Sequence, residues 1–193
     1  CLVADRWGNV VAATPSANVE DFDGGPAGVT YSNRLVSFNI TPGHPNCIQP
    51  GKRPRITLTP TLVLKDGRPV LAVSVAGGDL QDQVSLQLLL NFAEFGLPPA
   101  AAVTAPRFAT GHHQDSFDPN PNRAQTFGPA GSLAVGAGLS REVMDELARR
   151  GHRLQATDSP IGAPVMLTID RVSGTFYAAG DPAAGRHAAG LDE

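Results

Sequence analysis

Cysteine, charge and long apolar runs are all scarce in this sequence. Two cysteines, Cys1 and Cys47, stand among 193 residues. That is too few for a disulfide framework, and without a C-x-x-C pair there is neither a zinc knuckle nor a thioredoxin-type motif. Charged residues make up 17% and the formal net charge is −3, where about 25% charged is usual. Nothing in that balance attracts nucleic acid or an acidic membrane. The longest apolar stretches, residues 70–76 and 86–90, are bracketed by polar residues and fall far short of the roughly 20 that span a bilayer. The chain opens Cys1-Leu2-Val3-Ala4-Asp5 with neither Met nor a basic segment leading into an apolar one. We therefore expect a processed product or one part of a larger protein.

Familiar phosphate and serine-nucleophile signatures are missing too. Lys52 follows Gly51 but precedes Arg53, without the upstream glycine of a phosphate-binding loop. There is no G-x-S-x-G elbow. His112 and His113 are adjacent and so project differently, with no third ligand spaced to join them; a solvated loop is expected, and no metal.

What the sequence does have is glycine (21), proline (17) and 41% hydrophobic residues. That excludes a disordered polyelectrolyte, a coiled coil and a collagen, and predicts one domain with a core. Two short apolar runs around Gly8-Asn9 predict a β-hairpin that Pro15 ends. Residues 17–28, acidic and glycine-rich, read as a loop, residues 29–40 as a strand or strand pair, and residues 41–54 as irregular. Asp66-Gly67 between residues 57–65 and 70–76 is the strongest hairpin signal. A helix is expected from Asp79 as cap to Phe95, stopped by Gly96, and a short one over 98–103. Residues 106–129 read as a long surface excursion. A helix over 139–150 has Ser140 as N-cap, Val143, Met144 and Leu147 inward and Gly151 as C′. Residues 165–169 and 175–179 close the chain as strands. The pattern is an α+β layered fold with a largely antiparallel sheet.

Two places can carry chemistry. Gly77-Gly78, between a β-rich run and a helix start, lets backbone N–H groups approach a ligand, a nest suited to an oxyanion or carboxylate; it equally serves as a tight strand-to-helix turn. Cys1 joins a thiol to an α-amine whose ordinary pKa is near 8, so the amine can activate its own side chain.

Asp5-Arg6-Trp7-Gly8-Asn9-Val10-Val11, Gly51-Lys52-Arg53-Pro54, Thr59-Pro60-Thr61 with Lys65-Asp66-Gly67, Gly77-Gly78, Ala105-Pro106-Arg107-Phe108 and Gly180-Asp181-Pro182 together resemble, in order, the small subunit of γ-glutamyltranspeptidases. The resemblance runs from about residue 3 to the end. It implies the small-subunit half of an αββα N-terminal nucleophile hydrolase, completed by a large subunit cut from the same precursor and acting on a small amide or peptide-like substrate. No cofactor, metal, nucleic acid or membrane partner is implied. Gly77 and Gly78 would form the oxyanion hole, Asn18 would lie near nucleophile and acyl group, and Thr57 would help bind the glutamyl carboxylate.

The sequence also departs from the pattern. Ile56 stands where the family has a serine. Arg34 and Ser37 stand where a glutamine and an acidic residue hold the substrate's α-amino group. A cation there and a lost carboxylate both disfavour an ammonium, so an acyl group other than ordinary γ-glutamyl is expected, with Arg34 meeting a carboxylate. The family's nucleophilic threonine lies about three residues upstream of Cys1. An odd offset along a strand reverses the face, so either Cys1 is a relocated nucleophile or the nucleophile precedes this sequence. Two other readings stay open: a homologue cleaving a non-glutamyl amide or a C–C bond, and an inactive binding subunit.

Overall fold

The computed structural model describes residues 1–16, 26, 28, 32–118 and 120–190. Its centre is a strand that is buried continuously over residues 71–75, so it must be covered on both faces. This strand, β4 (Arg68–Ala76), pairs antiparallel with β3 (Thr61–Lys65) through the expected Asp66-Gly67 turn, where Asp66 takes φ 51°. On its other side it pairs antiparallel with β8 (Ala163–Ile169), which in turn pairs with β9 (Phe176–Gly180), giving the order β3-β4-β8-β9.

Strand alternation divides the residues of β4 between two layers. Leu71, Val73 and Val75 join Val84 and Leu88 of α1 (Gln81–Ala93), Ala102 and Val103 of α2 (Pro99–Thr104), and Met166 in one core. Each such fully buried side chain contributes roughly 1.5–3 kcal/mol. Ser74, on the opposite parity, meets the hairpin of β1 (Leu2–Ala4) and β2 (Val10–Ala12), its Oγ donating to Ala13 O at 3.2 Å. Helices, four-stranded sheet and hairpin thus form three successive layers.

A second sheet contains β5 (Phe108–Ala109), β6 (Ser132–Gly136) and β7 (Arg153–Thr157). β6 and β7 are parallel, with α3 (Arg141–Arg149) as their crossover. Its tie to the first sheet is unusual. Gln83 and Gln87 of α1 each exchange two hydrogen bonds with backbone at β5: Gln83 with Thr110, directly after the strand (2.8 and 3.0 Å), and Gln87 with Phe108 in it (2.8 and 3.0 Å). Two side-chain amides, one helical turn apart, serve β5 as a substitute neighbouring strand.

Four expectations need correction. The stretch read as a strand over 29–40 holds instead a 3₁₀ turn, Arg34–Ser37, in its described part, with Asn39 making only an isolated bridge to Cys47. Asp79 is not a helix cap: a 3₁₀ turn, Gly78–Leu80, precedes α1, and its carboxylate is spent elsewhere. The supposed surface excursion over 106–129 contains β5 and a buried arginine, Arg107. In α3, Ser140 does cap, accepting from Val143 N at 3.3 Å, but Val143 is exposed because this helix buries no residue fully.

Candidate active site

A cleft of about 660 Å³ opens between the hairpin and the carboxyl end of β4, lined among others by Cys1, Ser16, Arg34, Ser74, Gly77 and Gly78. Its floor is the strand-to-helix turn. Gly77 has φ 154° and a Cβ there would lie 3.3 Å from Gly162 Cα; Gly78 has φ 58° and a Cβ would lie 3.3 Å from Phe117 Cε2. Both positions therefore require glycine. Among the described residues, neither the Gly77 nor the Gly78 N–H finds an acceptor in a turn or cap.

The turn is braced from outside. Asp79 accepts from Ser116 N at 2.8 Å and from Ser116 Oγ, and pairs with Arg55 at 3.5 Å, which also reaches Gln114 O at 3.4 Å. Gln81, buried, turns its amide so that the nitrogen donates to Thr57 O and Val75 O, each at 3.0 Å. Neither role was legible in the sequence. An acidic residue after a Gly-Gly turn reads as a cap, and a helical Gln as surface.

Cys1 extends the hairpin ladder. Its amine donates to Ala13 O at 2.7 Å and to Ser74 Oγ at 3.3 Å, and its carbonyl accepts from Ala13 N at 2.9 Å. Partial burial, and then the Arg186 guanidinium, hold this amine below its ordinary 8.0. Leu2 and Ala4 line the cleft and are half-buried, whereas Val3 is 60% exposed. By alternation the Cys1 side chain falls on Val3's side, and the cysteine is free and exposed. Ser74, which ties this end of the hairpin to β4, is a cleft residue that sequence reasoning missed; its one signal is a hydroxyl in the middle of an apolar strand.

Arg34 lines the cleft, donates from Nη2 to Ser16 Oγ at 2.5 Å, and lies 5.1 Å from the Phe117 ring centroid. Its Nε and Nη1 are buried and, among the described residues, have no hydrogen-bond partner. Ser37 and Thr57 are buried, each with its hydroxyl unpartnered, and neither lines the cleft. Asn18 lies outside the described residues. The structure thus brings Cys1, Arg34, Gly77 and Gly78 to one cavity and leaves Ser37 and Thr57 off its lining.

Comparison with known proteins bears on this cleft. The family model described as gamma-glutamyltranspeptidase matches residues 1–191. The glutathione hydrolase proenzyme of Bacillus subtilis is 32% identical over 98% of this chain and 30% of its own length. The acylase ACY 1 proenzyme of a Pseudomonas strain is 28% identical over 79% of this chain and 25% of its own length. Among solved structures, the gamma-glutamyltranspeptidase of Pseudomonas nitroreducens complexed with L-DON superposes with a TM-score of 0.74 at 26% identity, covering 100% of this chain and 98% of that one. The chain spans about 30% of the length of the first of these curated relatives.

Proposed function

The chain belongs to the γ-glutamyltranspeptidase family of N-terminal nucleophile hydrolases, and from that premise we propose that its cleft performs acyl transfer from an amide, to water or to an amine, through a covalent acyl-enzyme. The observation that carries the reading is the Gly77-Gly78 turn, which lines the same cavity as Cys1 and whose N–H groups, among the described residues, make no turn or cap hydrogen bond. A nucleophile at that end attacks the amide carbonyl. The two N–H groups stabilise the tetrahedral oxyanion, the intermediate expels the amine with a proton, and water or a second amine releases the acyl group. Where Cys1 is itself the mature terminus, its amine, held below its ordinary value by burial and Arg186, is in a setting suited to proton transfer.

Two positions on the β1 line qualify for the attacking group: Cys1, and the position three residues before it that the family resemblance assigns to a threonine. Alternation favours the second, which shares the parity of Leu2 and Ala4 on the cleft side, while Cys1 shares that of exposed Val3. For Asn18 the reading keeps the place near nucleophile and acyl group that the resemblance implies, whereas Ser37, which replaces the family's acidic residue, and Thr57 do not line the cleft and have no direct contact with the acyl group in this reading. A second chain from the same precursor completes the site. In support, Leu35, Val36, Ile40, Ile48 and Ile56, in the chain after Arg34, are apolar side chains left 53% to 77% exposed.

We further propose that acyl recognition is altered, because Arg34 stands in the cleft where a glutamyl ammonium would otherwise be held. Similarity to an acylase proenzyme accords with this. The test pairs N-terminal sequencing of the mature small chain with amidase assays on a γ-glutamyl anilide and on anilides lacking the α-ammonium. A free nucleophile at the mature terminus and faster turnover of the second group are expected. An uncleaved chain without amidase activity overturns the enzymatic reading, and preference for the γ-glutamyl anilide overturns altered recognition.

A further inference from the structure

Arg34 is a charged cleft residue that acyl transfer itself does not use. A buried guanidinium nitrogen without an acceptor costs free energy unless something else completes it. Here two are left open, Nε and Nη1, while Nη2 is fixed by Ser16 Oγ. The side chain is also held from below. Phe117 lies 5.1 Å under the guanidinium, and the preceding Ser116 is tied through N and Oγ to Asp79, directly after the glycine pair. Arg34 is therefore positioned relative to the oxyanion site by a short chain of contacts: Gly78, Asp79, Ser116, Phe117.

Among the described residues that line the cleft, the charge has one sign. The residues lining the cleft include Arg34, Arg186 and His187, and no aspartate or glutamate among the described ones. A substrate ammonium would find two guanidiniums and no counter-ion; a carboxylate would find open N–H donors already desolvated. Arginine also gives what lysine would not, several donors in a fixed plane that can stack on a ring while binding an anion.

We propose that Arg34 is an anion subsite, and that the acyl donors of this cleft are half-amides of dicarboxylic acids: a carboxylate at the distal end of the acyl chain and no α-ammonium. This rests on the acyl-transfer reading above and adds the substrate class. Arg34 binds the distal carboxylate through Nε and Nη1, and Phe117 is a positioning residue that acts through Arg34.

The experiment uses the mature two-chain protein with three anilides of matched length: glutaryl, γ-glutamyl and valeryl, that is, anionic, zwitterionic and neutral acyl groups. In wild type the glutaryl anilide is expected to have the highest kcat/KM. Arg34→Gln should lower it about 10–100-fold, mainly through KM, the loss of charge-assisted hydrogen bonds, and lower the valeryl value by a far smaller factor. Phe117→Leu should raise KM for the glutaryl anilide several-fold and spare its kcat. Titration of glutarate by calorimetry reads the subsite without chemistry, and its Kd should weaken by a similar factor in Arg34→Gln.

The outcomes separate the two claims. Arg34-dependent glutarate binding without turnover of any anilide upholds the subsite and removes the acyl-transfer reading. Turnover in which Arg34→Gln lowers glutaryl and valeryl alike, or in which glutarate binds both forms equally, overturns the subsite and leaves acyl transfer standing. Should Arg34→Gln fail to assemble, Arg34→Lys decides. Retained glutaryl preference supports the anion subsite, and its loss with unchanged glutarate affinity assigns Arg34 to pairing with the second chain instead.

Discussion

Arg107 and Asp181, 74 positions apart in sequence, form a buried ion pair. Both side chains are almost fully enclosed, and Arg107 also donates from Nε to Ile161 O at 2.8 Å and from Nη1 to Val103 O. Asp181 accepts from Ala183 N at 3.0 Å as well. The end of α2, the approach to β8 and the end of β9 are thereby locked together. Two of the short motifs that carry the family resemblance, around Arg107 and around Asp181, are the two halves of this one contact.

Removing either partner leaves a buried charge unpaired. Arg107→Met or Asp181→Asn is expected to cost about 3–5 kcal/mol, whereas Arg107→Met with Asp181→Leu should cost clearly less than the two together. Denaturant midpoints of the assembled protein, with m-values to check that the transition is unchanged, read both. Full additivity would mean the pair contributes no coupling.

The glutamine pair of α1 makes a local prediction. Gln83→Leu should cost Thr110 both its partners, at about 1–3 kcal/mol for this part-buried pair, and Gln87→Leu should cost Phe108 both of its own at a smaller penalty, because those bonds are exposed and water takes their place. Amide exchange of Phe108 and Thr110 is expected to speed up in the matching variant only, with protection in β4 retained. Unchanged exchange would show that β5 does not depend on these side chains.

At the glycine pair, Gly78→Ala forces a Cβ to within 3.3 Å of Phe117 at φ 58°. The expected stability loss is about 1 kcal/mol or slightly more, while kcat should fall roughly 10²-fold or beyond as an oxyanion donor is displaced. Steady-state kinetics beside a thermal midpoint separate the two effects. A kcat loss no larger than the stability change accounts for would reduce the turn to a structural role.

Acid sensitivity of the hairpin follows from Asp5. Hydrogen bonds from the Asn9 side chain first, then from the Asn9, Trp7 and Gly8 backbone, hold its carboxyl below the ordinary 3.8. A depressed folded pKa stabilises above the unfolded value and is lost as pH falls through the folded one. The midpoint difference between wild type and Asp5→Ala should therefore be full at pH 6 and shrink steadily below pH 4. A difference constant down to pH 2 would show that ionisation of Asp5 plays no part.

Much of this molecule was readable in its sequence wherever the signal was local. Asp66-Gly67 named its hairpin, Gly96 ended its helix at φ 65°, and Ser140 capped α3. Gly77-Gly78 announced a close backbone approach, and the family motifs supplied the rest of the fold. What escaped depends on partners distant in sequence. Asp79 has the look of a cap, but Ser116 and Arg55 outbid the helix N–H groups for its carboxylate. The polar stretch after Pro106 suggested solvent, yet Arg107 enters the core because Asp181 awaits it there. Ser74 and Gln81 gave little sign because their partners, Ala13, Thr57 and Val75, are backbone groups. Arg34 could be flagged by its chemistry, but not its open nitrogens or its seat on Phe117.

The most direct measurement is the intact mass of the mature small chain, acid-quenched within its first turnovers on an anilide substrate. Acyl transfer through this cleft predicts a mass increase equal to the acyl group, mapped by fragmentation to the amino-terminal residue on the β1 line and reduced when Gly77 or Gly78 is replaced. A small chain that turns the substrate over with no acyl adduct, or with one mapped elsewhere, would contradict it.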